Sequence, residues 1–235
     1  MTTGKQIQLV MREMLFINWA VSPEVVRKLV DERLEMDTKS DSSGQAAAFV
    51  SAVSFRVAEL RSNVLPLPSL SFEQVNYRTY VRASEVPAVW FLDMKVNSRM
   101  ITALTSFMSV PVHHDDIEIA TTRDESGLLR YEVKSAGLRA EAIVGEQPAS
   151  ASVEFEITPD FITDRLVGYV GAGNGVFKIE VEQPGLVAVP ARVESIDAAS
   201  LQRLGVLTPA ASAHPHSAFY VREALFGANM PTRLG

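Results

Sequence analysis

Residues Gln74 to Arg82 read as a strand, and strand side chains alternate between faces. Asn76, Arg78, Tyr80 and Arg82 therefore share one side, and Val75, Tyr77, Thr79 and Val81 the other. A row of amide, guanidinium and phenol groups turned into a closed sheet would form a polar wall for a small anion or carbonyl compound. The same row turned to solvent would be an ordinary surface. The spacing leaves both readings open.

The histidines fall in two groups, His113-His114 followed by Asp115-Asp116, and His214-Pro215-His216. On extended chain His113 and Asp115 share a face, as do His214 and His216. Two or three imidazoles plus a carboxylate would suit a metal if the two segments met. Solvated residues at strand ends are the simpler account, so no metal and no cofactor are expected. Gly171-Ala172-Gly173-Asn174-Gly175 looks like a phosphate-binding loop, but Val176 to Val181 after it alternates as a strand where such a loop needs a helix. A hairpin turn using glycine at positive φ is expected instead. Neither G-x-S-x-G nor H-E-x-x-H occurs.

Composition narrows the chemistry further. No cysteine is present among the 235 residues, which removes disulfides, a thiol nucleophile and Cys-ligated metal. A net charge of −6 lacks the basic footprint of a nucleic-acid binder. The longest apolar run near the N-terminus, Met14 to Val21, is too short for a membrane span and carries Asn18 inside it. A cytoplasmic protein with neither nucleic-acid nor membrane partners is the expectation.

The elements that must position these residues are mostly strands. Ile7 to Val21 is rich in β-branched and aromatic residues. Ser22-Pro23 opens a helix of about three turns on Val25, Val26, Leu29, Val30 and Leu34. Ala46 to Val57, Gln74 to Arg82 and Val86 to Asp93 read as strands. Asn97 is placed to cap a helix carrying Met100, Ile101, Leu104 and Phe107, which ends before Pro111. Beyond it the chain is β-rich, with a turn at Glu125-Ser126-Gly127, a strand on Val153, Phe155 and Ile157, a short helix at Pro159 to Leu166 and another from Asp197. The class is α+β with a mostly antiparallel sheet, in one domain over residues 1–235.

Arg12-Glu13-Met14-Leu15-Phe16-Ile17-Asn18-Trp19, Ser22-Pro23-Glu24 and Arg33-Leu34-Glu35-Met36-Asp37 resemble the opening of the acetoacetate decarboxylase-like superfamily. Phe72-Glu73-Gln74-Val75-Asn76-Tyr77-Arg78-Thr79-Tyr80-Val81-Arg82, Trp90-Phe91-Leu92-Asp93 and Asn97-Ser98-Arg99 are similar to its uncharacterised bacterial YqjF-like branch. The resemblance covers about residues 10–120. It implies a large curved sheet closing into a cone-like or incomplete β-barrel, a few helices packed outside, an internal pocket and a homo-oligomer.

In the decarboxylases a lysine following a proline forms a Schiff base with the keto acid, its amine activated by an apolar pocket and a second lysine. Here Ser109-Val110-Pro111-Val112-His113 sets Val112 at the nucleophile's position and His113 at its neighbour's. Valine cannot form an imine, so a decarboxylase is not expected. Of the other lysines, Lys95 is the best placed substitute. The resemblance puts Arg12, Asn76, Arg78 and Tyr80 as donors to a carboxylate or carbonyl oxygen, Glu73 as the pocket glutamate with Gln74 the other choice, and His113 as general acid/base. The implied function is binding of a small organic acid or carbonyl compound, with Schiff-base-independent lyase or hydrolase chemistry if catalytic. A non-catalytic sensor module and a histidine metal enzyme are the alternatives.

Overall fold

The computed structural model describes residues 6–64, 68–146, 155–173 and 175–234. The β-branched and aromatic N-terminal run forms β1 (Ile7–Val21), which leads into α1 (Pro23–Arg27) and two short strands, β2 (Glu35–Met36) and β3 (Lys39–Ser40). Three long strands follow, β4 (Ala46–Ser62), β5 (Leu70–Ala83) and β6 (Val86–Val96), and then α2 (Arg99–Phe107) and β7 (His113–His114). The second half contains β8 (Glu118–Arg123), β9 (Leu129–Lys134), β10 (Arg139–Val144), α3 (Pro159–Thr163), β11 (Val167–Ala172), β12 (Gly175–Glu182) and β13 (Ala188–Asp197). Two short helices, α4 (Ala199–Arg203) and α5 (Pro209–Ser212), precede β14 (Ser217–Ala228) and β15 (Thr232–Arg233).

The strands form a curved sheet in the order β15-β12-β11-β6-β5-β4-β1-β14-β13-β10-β9-β8. A further pairing of Val181 and Glu182 in β12 with Ala228 and Gly227 in β14 brings its arms together as a partial ring. Neighbours along this path run antiparallel except β6 with β11. The glycine-rich loop is the hairpin expected, with Ala172 opposite Gly175 and Gly173 at φ 57°; Asn174 lies outside the described residues.

Alternation along the strands produces two cores. Outward residues of the ring, including Leu15, Ile17, Trp19, Val75 and Tyr77, pack under the β8–β10 extension and the first helical segment. Inward residues, including Met14, Phe16, Val53, Phe55 and Met94, form the second core. Burial of side chains this size stabilises the fold by about 1.5–3 kcal/mol each.

Several local expectations are corrected. The first helix ends at Arg27 rather than running to Leu34, because the Arg27 guanidinium folds over the chain and donates to the carbonyls of Val30, Asp31 and Leu34. Val26, Val30 and Leu34 are still buried, carried by successive turns. Ser98, not Asn97, caps α2. The Asn97 amide instead accepts from the Glu73 backbone N–H at 2.8 Å and donates to the Ile117 carbonyl at 3.2 Å. The strand expected around Phe155 and Ile157 is absent: both lie in irregular chain ahead of Thr158, which caps α3, and Val153 lies outside the described residues. No described helix is long and apolar enough to cross a membrane.

Candidate functional site

Strand register stacks the inward residues of the ring in levels. Arg78 lies opposite Phe91 of β6. One level along, Phe16, Val53, Asn76 and Met94 stand side by side on β1, β4, β5 and β6. Phe55, Gln74 and Val96 form the next level. Leu9, Leu60 and Phe226 share the far end with Met11 and Phe72. Together they line a cavity of about 280 Å³ that opens to the surface and is covered on one side by Ile101, Leu104 and Met108 from α2 and its end. Gly168 on β11 makes room for the Phe91 ring, since a Cβ there would stand 2.6 Å from its Cε2.

The Asn76/Arg78/Tyr80 face thus points inward. Arg78 donates through Nη2 to the Ile162 carbonyl at 2.7 Å, and its charged carbon lies 5.3 Å from the Phe16 ring centre. Its Nε is buried without a hydrogen-bond partner, and no carboxylate pairs with it among the described residues. The Gln74 amide donates to Asn76 Oδ1 at 2.6 Å. Arg165 joins the same polar end; its Nη1 lies 2.6 Å from Asp37 and its guanidinium packs on the Phe161 ring at 4.5 Å. Two guanidiniums and no carboxylate therefore line the cavity among the described residues.

Tyr80 is inward but its hydroxyl is spoken for. Ser51 donates to Asn18 Oδ1 at 2.6 Å, so the Tyr80 hydroxyl, also 2.6 Å away, donates to Ser51. Tyr80 presents its ring to Arg78 and Arg165 rather than a donor to a ligand.

Three expected site residues face elsewhere. Arg12 pairs with Glu223, and about half of its side chain is exposed. Met11 points inward, so Arg12 points out; a bulge with Glu13 at φ 53° then returns Met14 to the cavity. Glu73 lies on the outer face, where it accepts from Arg56 at 3.0 Å and from the Ile119 N–H at 3.2 Å. Val112 is buried in the cavity wall, and the next residue, His113, is consequently outside with 67% of its side chain exposed, 3.0 Å from Asp93. Lys95 also points outward, between Asp93 and Asp115 at 3.9 and 3.7 Å. No described lysine lines the cavity.

The two histidine groups do not meet. His216 Nε2 is 2.8 Å from the Phe155 carbonyl and its ring stands edge-on to Phe49. Among the described residues no three His, Asp or Glu side chains gather as metal ligands. Arg165 falls inside the helix expected at Pro159 to Leu166, but α3 ends at Thr163 and Arg165, two residues further on, turns inward where no helical periodicity marks it.

A curved, partly ringed sheet around an apolar cavity with guanidiniums at one end places the chain in the acetoacetate decarboxylase-like fold class. The crystal structure of acetoacetate decarboxylase from Legionella pneumophila superposes with a TM-score of 0.63 at 11% identity, over 98% of this chain and 87% of that one. The enduracididine biosynthesis enzyme MppR complexed with pyruvate gives 0.62 at 11%, over 100% and 92%. Within that class, the chain belongs to the DUF2071 family of uncharacterized conserved proteins, whose model matches residues 9–223. It is 29% identical over 109 residues to the uncharacterized protein YqjF of Bacillus subtilis, a match spanning 45% of this chain and 43% of that relative.

Proposed function

We propose that this protein binds a small organic acid or carbonyl compound in the ring cavity without forming a Schiff base. The observation that carries the reading is Arg78, a guanidinium at the end of an apolar cavity with no carboxylate beside it. Arg78 is half-buried and its Nε is buried without a partner, and a charge partly withdrawn from water with no counter-charge costs stability that a bound anion would restore. A bound carboxylate would supply that counter-charge through charge-assisted hydrogen bonds. Asn76, two residues along the same strand face, is positioned for a carbonyl or hydroxyl oxygen of the same ligand. MppR, solved with pyruvate, lends support by fold.

The wall favours binding over turnover. The titratable groups lining the cavity among the described residues are arginines, which stay protonated and make poor general bases. His113 faces solvent. A ligand-binding or sensor module is therefore favoured over a lyase or hydrolase. Incubation with acetoacetate or pyruvate under borohydride, followed by intact-mass analysis, is expected to leave the protein unmodified, while the same acids raise its Tm. A reduced adduct on any lysine would overturn the Schiff-base-free reading.

A further inference from the structure

We infer that the occupant of this cavity is amphiphilic, a monocarboxylate carrying an apolar tail the size of a medium-length acyl chain. The inference rests on the carboxylate reading above and deepens it. An apolar cavity of about 150 Å³ already admits benzene. This cavity is about 280 Å³, so a keto acid of three or four carbons would leave a large part of it empty or filled with water that finds no partners.

The charged groups of the lining, Arg78 and Arg165, are also gathered at one end, while at the opposite mouth, beyond Leu9 and Leu60, the polar residues that join the wall are the uncharged Ser62 and Asn229. Along β5 the inward row runs Arg78, Asn76, Gln74, Phe72, and at about 3.3 Å per residue it extends roughly 20 Å. Gln74 and Asn76 satisfy one another in part, 2.6 Å apart. Past them the lining is Met14, Phe55, Val96 and then Leu9, Met11 and Phe72. A carboxylate at Arg78 thus directs anything attached to it down an apolar tube. Met11, Met14, Met94 and Met108 all contribute to the wall. Unbranched thioethers reshape around different tails, which fits a class of ligands better than one rigid shape.

The test is a calorimetric titration of the intact chain with butanoate, hexanoate, octanoate and decanoate, with octan-1-ol as the neutral counterpart. Each buried methylene contributes about 0.8 kcal/mol, so affinity is expected to rise about fourfold per carbon until the cavity is full. Octan-1-ol is expected to bind at least tenfold more weakly than octanoate. Met11→Trp, which fills the far level, is expected to weaken decanoate more than butanoate. Leu9→Trp repeats the test from a neighbouring position, and the ligand-free Tm of each variant verifies folding.

Equal affinity from butanoate to decanoate, with binding still lost in Arg78→Met, would overturn the tail and leave the carboxylate reading standing. Octan-1-ol binding as tightly as octanoate, with Arg78→Met without effect, would overturn both. So would failure of every carboxylate to bind.

Discussion

Arg78 Nη2 donates to the carbonyl oxygen of Ile162, 2.7 Å away and 84 positions along the chain, tying the middle of β5 to α3. That bond fixes the guanidinium in the cavity wall without neutralising it. Arg78→Met keeps an unbranched apolar stem while removing the guanidinium and its charge. Hydrogen bonds to charged groups contribute about 1.5–3 kcal/mol, so the variant is expected to bind carboxylates at least tenfold more weakly. Its Tm is expected to move little, because loss of the Ile162 bond is offset by removal of an unpaired charge. Unchanged carboxylate affinity in a folded variant would contradict the assignment.

Val112 tests the missing lysine directly. It is buried in the cavity wall, and a lysine there would carry its amine into apolar surroundings that lower its pKa toward the free base. Val112→Lys is therefore expected to gain a borohydride-reducible adduct with pyruvate or acetoacetate, read by intact mass, where the parent chain shows none. A folded variant without an adduct would mean that residue 112 does not open onto the space where keto acids bind.

His216 makes stability depend on pH. Burial lowers its pKa below the usual 6.5, against the opposing influence of the Phe155 carbonyl. At pH above about 6.5 the imidazole is neutral in both folded and unfolded chains and contributes no pH dependence. As pH falls through 6.5 the unfolded chain takes up a proton first, so stability drops, and the drop ends once pH is below the folded value. Urea midpoints measured between pH 7.5 and 5 are expected to decline in the parent chain and to decline less in His216→Gln. Parallel slopes would show that His216 protonates as easily when folded.

The strands were legible from alternation and the curvature of the sheet from the resemblance carried by the 72–82 motif, whereas the direction of the Asn76/Arg78 face was not, because alternation pairs the two faces without saying which one the sheet curves around. The outward positions of Glu73 and His113 share one physical cause, strand parity. If Asn76 and Arg78 point inward, Glu73 on the same strand must point out, and Val112 and His113, adjacent on extended chain, take opposite faces. Arg12 was hidden by the bulge at Glu13, a left-handed residue held by its own contacts to Arg56 and Thr121. Arg165 was illegible because its direction depends on where α3 ends against Asp37, a contact 128 positions apart.

The buried chain Tyr80–Ser51–Asn18 separates a structural role from a binding one. Tyr80→Phe removes a donor and leaves Ser51, whose own proton still reaches Asn18, so the cost is one net hydrogen bond, about 1 kcal/mol. Ser51→Ala strands two partners at once, the Tyr80 hydroxyl and Asn18 Oδ1, both in a site without water access, and buried groups left unsatisfied cost about 1–3 kcal/mol each. Chemical denaturation is therefore expected to rank Ser51→Ala well below Tyr80→Phe. Because the Tyr80 hydroxyl points to Ser51, Tyr80→Phe is also expected to keep carboxylate affinity within about twofold of the parent. A tenfold loss there would mean that the hydroxyl turns to the ligand, and the inward row would then act as a three-donor wall.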